Sequence, residues 1–282
     1  MNLKKIAAAL SMAGATVFSG AAFADPSITN LDGTKSPFGG FDWASGSAAW
    51  TSGFSGVVGS TFTLNYAGWA TAVTNTSGNP ITLGQLDNSA DGVANSTAQV
   101  LFPGMGFGAY EYTAVATFTE KITSCSSATV CSFTVTGGAF DIYYDIGADA
   151  KTVTNGAWTG FGGTGSAVKV ISGTFFAGPT TEFNTLTGGQ ANLLGSVTYT
   201  NTTYINPALV STNVTSTLQL GSSVTNFAAP TSVDGVAVGA GQVVFQADAN
   251  QTFSTARVPE PASLALVGLA LAGVGFVARR RK

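Results

Sequence analysis

The run YEYTAVATFTEKI, Tyr110 to Ile122, decides the fold class, because its apolar residues recur at every second position. One face takes Tyr110, Tyr112, Ala114, Ala116 and Phe118; the other takes Glu111, Thr113, Thr117, Thr119 and Lys121, with Val115 alone breaking the polar row. A period of two is the signature of a half-buried strand. Ten residues on, SFTVTGGAFDIYYDI, Ser132 to Ile146, repeats the pattern with Phe133 and Val135, a break at Gly137-Gly138, then Phe140, Ile142 and Tyr144. The two runs read as an antiparallel hairpin. Cys125 and Cys131 enclose only five residues at its tip, and in an oxidising compartment they are expected to form a disulfide.

Outward from the hairpin, similar short runs at Ser60 to Ala70, Ala167 to Phe176, Gly195 to Tyr204, Val214 to Leu220 and Gly241 to Ala249 read as further strands. No long stretch of 3.6-residue periodicity and no fixed repeat stands between them. The expectation is an all-β body, an antiparallel β-sandwich or jelly-roll-like domain of one or two subdomains.

The charge distribution excludes several functions. Residues 25–258 hold five cations against thirteen acids, a net of −8, so a phosphate backbone is repelled and nucleic acid is not an expected partner. The chain contains no histidine, which removes Ser-His and Cys-His nucleophile activation and any His-ligated zinc.

The two ends carry targeting signals. Residues 1–24 hold Lys4 and Lys5, an apolar core from Ile6 to Phe18, and a small-residue site at Ala22 and Ala24, the three parts of a secretory signal peptide read by the Sec machinery. Residues 258–282 hold Pro259-Glu260-Pro261, seventeen uncharged residues from Ala262 to Ala278, and the tail Arg279-Arg280-Arg281-Lys282. As a helix the apolar part would cover ~25 Å, enough for a single transmembrane pass with the basic tail inside. The exported domain is then 25–257.

This tail resembles the PEP-CTERM sorting segment of exported proteins in exopolysaccharide-making Gram-negative bacteria. The resemblance implies recognition by the membrane enzyme exosortase, a single-pass state before sorting, and delivery to the cell surface or extracellular matrix. The body is similar to the flocculation-associated PEP-CTERM group in Pro37-Phe38-Gly39-Gly40-Phe41-Asp42-Trp43, in Tyr110-Glu111-Tyr112-Thr113, in Phe133 to Gly138 leading into Phe140 to Asp145, and in Gly195-Ser196-Val197-Thr198. That resemblance implies a role in flocs or biofilm, by adhesion to exopolysaccharide or to neighbouring cell-surface proteins. It carries no catalytic motif, and a non-enzymatic role is expected.

Three residue sets invite chemistry. Asp141, Asp145 and Asp149 recur every four residues, yet on a strand neighbours in that series lie ~13 Å apart, beyond the ~5 to 9.5 Å of a glycosidase pair; solvated strand-end acids are the first reading and a Ca2+ site the second. Asp87 to Gly92 begins like an EF-hand loop but places Ala98 where a bidentate Glu is required, so it reads as a turn. Trp43, Trp50, Trp69 and Trp158, with Tyr143 and Tyr144, are candidates for stacking on sugar rings, against the more frequent use of large aromatics in cores. The rival functional readings are a secreted carboxylate-dependent glycoside hydrolase or lyase, and a coat subunit that self-associates through strand edges.

Overall fold

The computed structural model describes residues 25–29, 35–79, 81, 111–127, 130–145, 156–162, 167–178, 180–184, 188–221, 227, 229–239 and 241–254. Among them lie fifteen strands. In chain order these are β1 (Ser27–Thr29), β2 (Lys35–Pro37), β3 (Gly40–Ser52), β4 (Thr61–Thr74), β5 (Glu111–Cys125), β6 (Val130–Asp145), β7 (Ala157–Trp158) and β8 (Val168–Phe175). There follow β9 (Thr180–Asn184), β10 (Gly188–Thr200), β11 (Ile205–Asn206), β12 (Asn213–Gly221), β13 (Ser232–Val233), β14 (Val236–Ala237) and β15 (Val244–Ser254).

The large strands form one sheet in the order β12-β15-β3-β4-β5-β6-β8-β10, and β10 pairs back to β12, so the sheet closes into an eight-lane antiparallel barrel. β9 takes over the β8 lane at one end, pairing with β6 at residues 130–134 where β8 pairs with it at 138–144. The all-β expectation holds. In place of two sheets stacked as a sandwich there is a single sheet wrapped on itself. Strand alternation is the same in both architectures; what separates them is the β10–β12 ladder from Gly188↔Gly221 to Ser196↔Asn213, a pairing that alternation does not specify.

The hairpin forms as its alternation predicts, with Tyr112, Ala114, Ala116 and Phe118 facing inward from β5 and Phe133, Val135, Phe140, Ile142 and Tyr144 from β6. Large and small inward residues are matched across lanes: Phe118 lies opposite Gly138, Phe140 opposite Gly173, and Phe175 opposite both Gly138 and Gly195. A Cβ on Gly173 would strike the Phe140 ring, so the glycines are what let these rings share the barrel axis at centroid spacings of 5.0 Å. One end is filled by Phe41, Trp43, Tyr112 and Phe253 and closed by Ile28 of β1, Ile205 of β11 and Leu209, all buried. At the other end Phe54 meets Phe62 and Phe133 edge-on.

One of the inward residues is a carboxylic acid. Glu120 sits on the inner face of β5 between Phe118 and Ile122, opposite Phe62 of β4 and Val135 of β6, and only 4% exposed. Burial pushes its carboxyl up to about 7.

A second, smaller core lies on the outer wall of the barrel. β7, β13 and β14 form a three-stranded sheet, parallel between β7 and β13, and Trp158, Phe161, Val233 and Val238 from this segment pack on Trp50 of β3 and Trp69 of β4. Residues 25–255 group as one unit by their contacts.

Candidate functional site

The four tryptophans are packing residues. Trp43 lies inside the barrel, stacked on Phe41 at 5.0 Å; Trp50 and Trp69 lie under the small sheet, and Trp158 of that sheet packs down on them, edge-to-face with Trp69 at 5.4 Å. None is more than 7% exposed, so none presents a free ring face to a sugar. The reason is the cover supplied by β7, β13 and β14, strands of two residues each that no periodicity reveals. Tyr143 and Tyr144 are likewise buried, at 9% and 3%.

Asp141 is held by protein groups. Ser172 of β8 donates to its Oδ1 at 2.5 Å, Tyr143 donates to its Oδ2 at 3.3 Å, and the Lys169 ammonium lies 3.0 Å from Oδ2 and 5.6 Å from the Tyr143 ring centroid. Burial, joined by the negative charge of Asp141, raises the Tyr143 hydroxyl. Desolvation is the strongest single influence on Lys169 and works against its charge, yet its hydrogen bond to Asp141 and the attraction of Tyr143 and Asp141 together outweigh it and raise its pKa. A lysine thus stands where a cation bound by Asp141 would sit. Asp145 is buried opposite Glu111 of β5, and both carboxylates have partners. Asp149 lies outside the described residues. Among the described residues no group of three His, Cys, Asp or Glu could hold a metal ion.

Among the described residues the barrel interior is packed with side chains. Between Trp43, Ala116, Phe140, Ser216 and Gln251 there is a void of about 30 Å3, room for a water or two, beside the Ser216 hydroxyl. Among the described residues the lumen is largely apolar, with Glu120, Ser216 and Gln251 among its polar members, and the outer wall is largely polar, the reverse of a membrane-spanning barrel.

What the fold exposes is the outer wall of β8, β10, β12 and β15. Antiparallel register aligns Asn192 with Thr217 and Thr217 with Asn250, and beside that row Leu194 with Thr215 and Thr215 with Thr252. Thr217 donates to Asn192 Oδ1 at 3.2 Å, which fixes the amide. β12 and the second half of β10 were legible from alternation; the first half of β10, which carries Asn192 and Leu194, and the register with β12 were not, and it is the register that turns scattered Asn and Thr into rows. Exposed Phe176 and Tyr199 flank the wall, at 50% and 44%.

At the hairpin tip Cys125 and Cys131 stand directly opposite, with Cα atoms 4.0 Å apart, and are joined by a disulfide. Closing so short a loop contributes about 2 kcal/mol. The remaining sequence-predicted residues, Ala22, Ala24, Pro259, Glu260, Pro261, Arg279, Arg280 and Arg281, lie outside the described residues, as does the apolar stretch 262–278.

Residues 257–282 match the PEP-CTERM protein-sorting motif. The motif marks an exported protein with a C-terminal membrane anchor before sorting, processed by exosortase. No curated protein and no solved structure matches this chain. The PEP-CTERM match therefore speaks for the tail, and the role of the barrel rests on its own chemistry.

Proposed function

We propose that this is a cell-surface or extracellular-matrix protein of a Gram-negative bacterium, supporting floc or biofilm formation by associating with exopolysaccharide, without catalytic activity. The observation that carries the reading is the pairing of an exosortase sorting tail at 257–282 with a barrel whose interior is filled and whose outer wall is lined by neutral amides and hydroxyls. A filled lumen supports a binding or scaffolding role, since the grouping of two carboxylates across a water-accessible cleft that glycoside hydrolysis needs is not what Asp141 and Asp145 provide. Closure into a barrel pairs the eight long strands on both sides and leaves open edges, among the described residues, only on short strands of the two three-stranded sheets, which favours the matrix reading over a coat subunit polymerising through long strand edges.

The test is deletion of residues 258–282 in the producing cells. The expected result is loss of the protein from the cell surface together with reduced clumping. Surface retention with unchanged clumping would overturn both the sorting and the matrix roles.

A further inference from the structure

We propose that the outer wall formed by β8, β10, β12 and β15 is a docking face for an uncharged polysaccharide strand, with Tyr199 and Phe176 as its stacking residues. This deepens the matrix reading and rests on it.

The face has the right geometry for an extended polymer. Its rows step ~4.8 Å from strand to strand and ~6.6 Å along each strand, so amides and hydroxyls recur on a regular grid over four lanes. Asn192, Thr217 and Asn250 make one row, and the hydroxyls of Thr215 and Thr252 line the next beside Leu194. Amide and hydroxyl groups both donate and accept, which matches sugar hydroxyls that do the same. With its Oδ1 taken by Thr217, Asn192 directs its amide protons to whatever lies on the face.

Aromatic groups supply the apolar contact that a sugar ring needs. Phe176 donates its backbone N–H to Leu194 O at 2.8 Å, so these two exposed side chains sit together, and Tyr199 follows five residues along β10, roughly 15 Å away. The platform is therefore longer than one ring and bounded by apolar groups at two points.

Charge selects among polymers. No outward position of β10, β12 or β15 holds a cation, the Lys169 ammonium of β8 is paired with Asp141 at 3.0 Å, and the one acid on β10, β12 and β15, Asp248, is half-buried on the strand beside Asp42. Nothing on these three strands would neutralise a uronate, sulfate or phosphate, and the body's net −8 repels them. A protein partner is a poorer fit, because such interfaces centre on buried aromatic and Arg anchors, whereas this face centres on small neutral side chains.

The experiment uses full-length protein from the producing cells, run by native electrophoresis through gels containing hydroxyethylcellulose or alginate. The same protein is passed over immobilised host polysaccharide separated into neutral and acidic pools. Retention by the neutral pool and not by alginate or the acidic pool is expected. Tyr199→Ala, and separately the double variant Asn192→Ala/Asn250→Ala, should each weaken it by about tenfold. Thr117→Ala, exposed on β5, should leave it unchanged. Wild-type retention that the face variants do not alter would overturn the face and leave the matrix reading standing. Absence of retention on every polymer would overturn both. Equal retention by the acidic pool, or a self-association abolished by the same variants, would assign the face to another occupant and overturn the proposal.

Discussion

Replacing Glu120 by glutamine should make the barrel more stable at neutral and alkaline pH while leaving its stability near pH 4 less affected. Glu120 points inward between Phe118 and Ile122, 4% exposed, and burial raises its carboxyl from 4.5 to about 7. Below pH 4.5 the side chain is neutral in both folded and unfolded chains, and it costs nothing by ionisation. As pH rises from 4.5 towards 7 the unfolded chain ionises first, so stability falls across that window. Above about 7 both states are ionised and the loss levels off. At 1.36 kcal/mol per pH unit the full loss is about 3 kcal/mol, a large part of a typical 5–15 kcal/mol stability. Urea unfolding of wild type and Glu120→Gln at pH 4, 6 and 8, with the disulfide intact, measures it. Other carboxylates cancel in the comparison, and any cost of the buried amide is the same at every pH. The stability difference should therefore swing towards the variant by about 3 kcal/mol between pH 4 and pH 8. A difference that stays constant over that range would refute the placement of Glu120 inside the barrel.

Two further outcomes follow from the packing. Gly173→Ala places a methyl against the Phe140 ring and the Ser196 carbonyl, and overpacking of this kind should cost about 1–3 kcal/mol by urea unfolding; a neutral result would mean that the ring has room to move. Trp158→Ala removes the centre of the small outer core and should cost about 3–5 kcal/mol. It should open the 156–162 segment to proteases while leaving polysaccharide retention intact; lost retention with an intact fold would restore Trp158 as a contact residue.

The hairpin was legible because β5 and the two halves of β6 on either side of Gly137-Gly138 keep a two-residue period with mostly apolar residues inward, and the pairing of Cys125 with Cys131 followed from its closure. β3 was not legible. Its ladder skips between Trp43 and Ala48 with β4, and Ala44 to Ser47 are small residues that break the alternation. The first half of β10, Gly188 to Leu194, lies outside the expected strand Gly195 to Tyr204, and its two glycines, Gly188 and Gly189, start the β10–β12 closure. For the candidate site the failure was one of cover. Tryptophan was the natural guess for sugar stacking, but the small sheet of β7, β13 and β14 covers Trp50 and Trp69 and turns its own Trp158 onto them, while Phe176 and Tyr199 are exposed on other lanes. Composition does not tell a buried ring from an exposed one, since exposure is a tertiary property that residue type does not carry.

The position of β15 in the barrel bears on how a tethered matrix protein would withstand traction. This last strand is flanked on both sides, by nine residue pairs with β12 and eight with β3, and the matched tail begins three residues after its end at Ser254. A pull arriving from the tail enters a strand clamped by two ladders at once, so the hydrogen bonds share the load rather than peeling singly. Tension between cell and matrix would then be borne by the wall of the barrel itself.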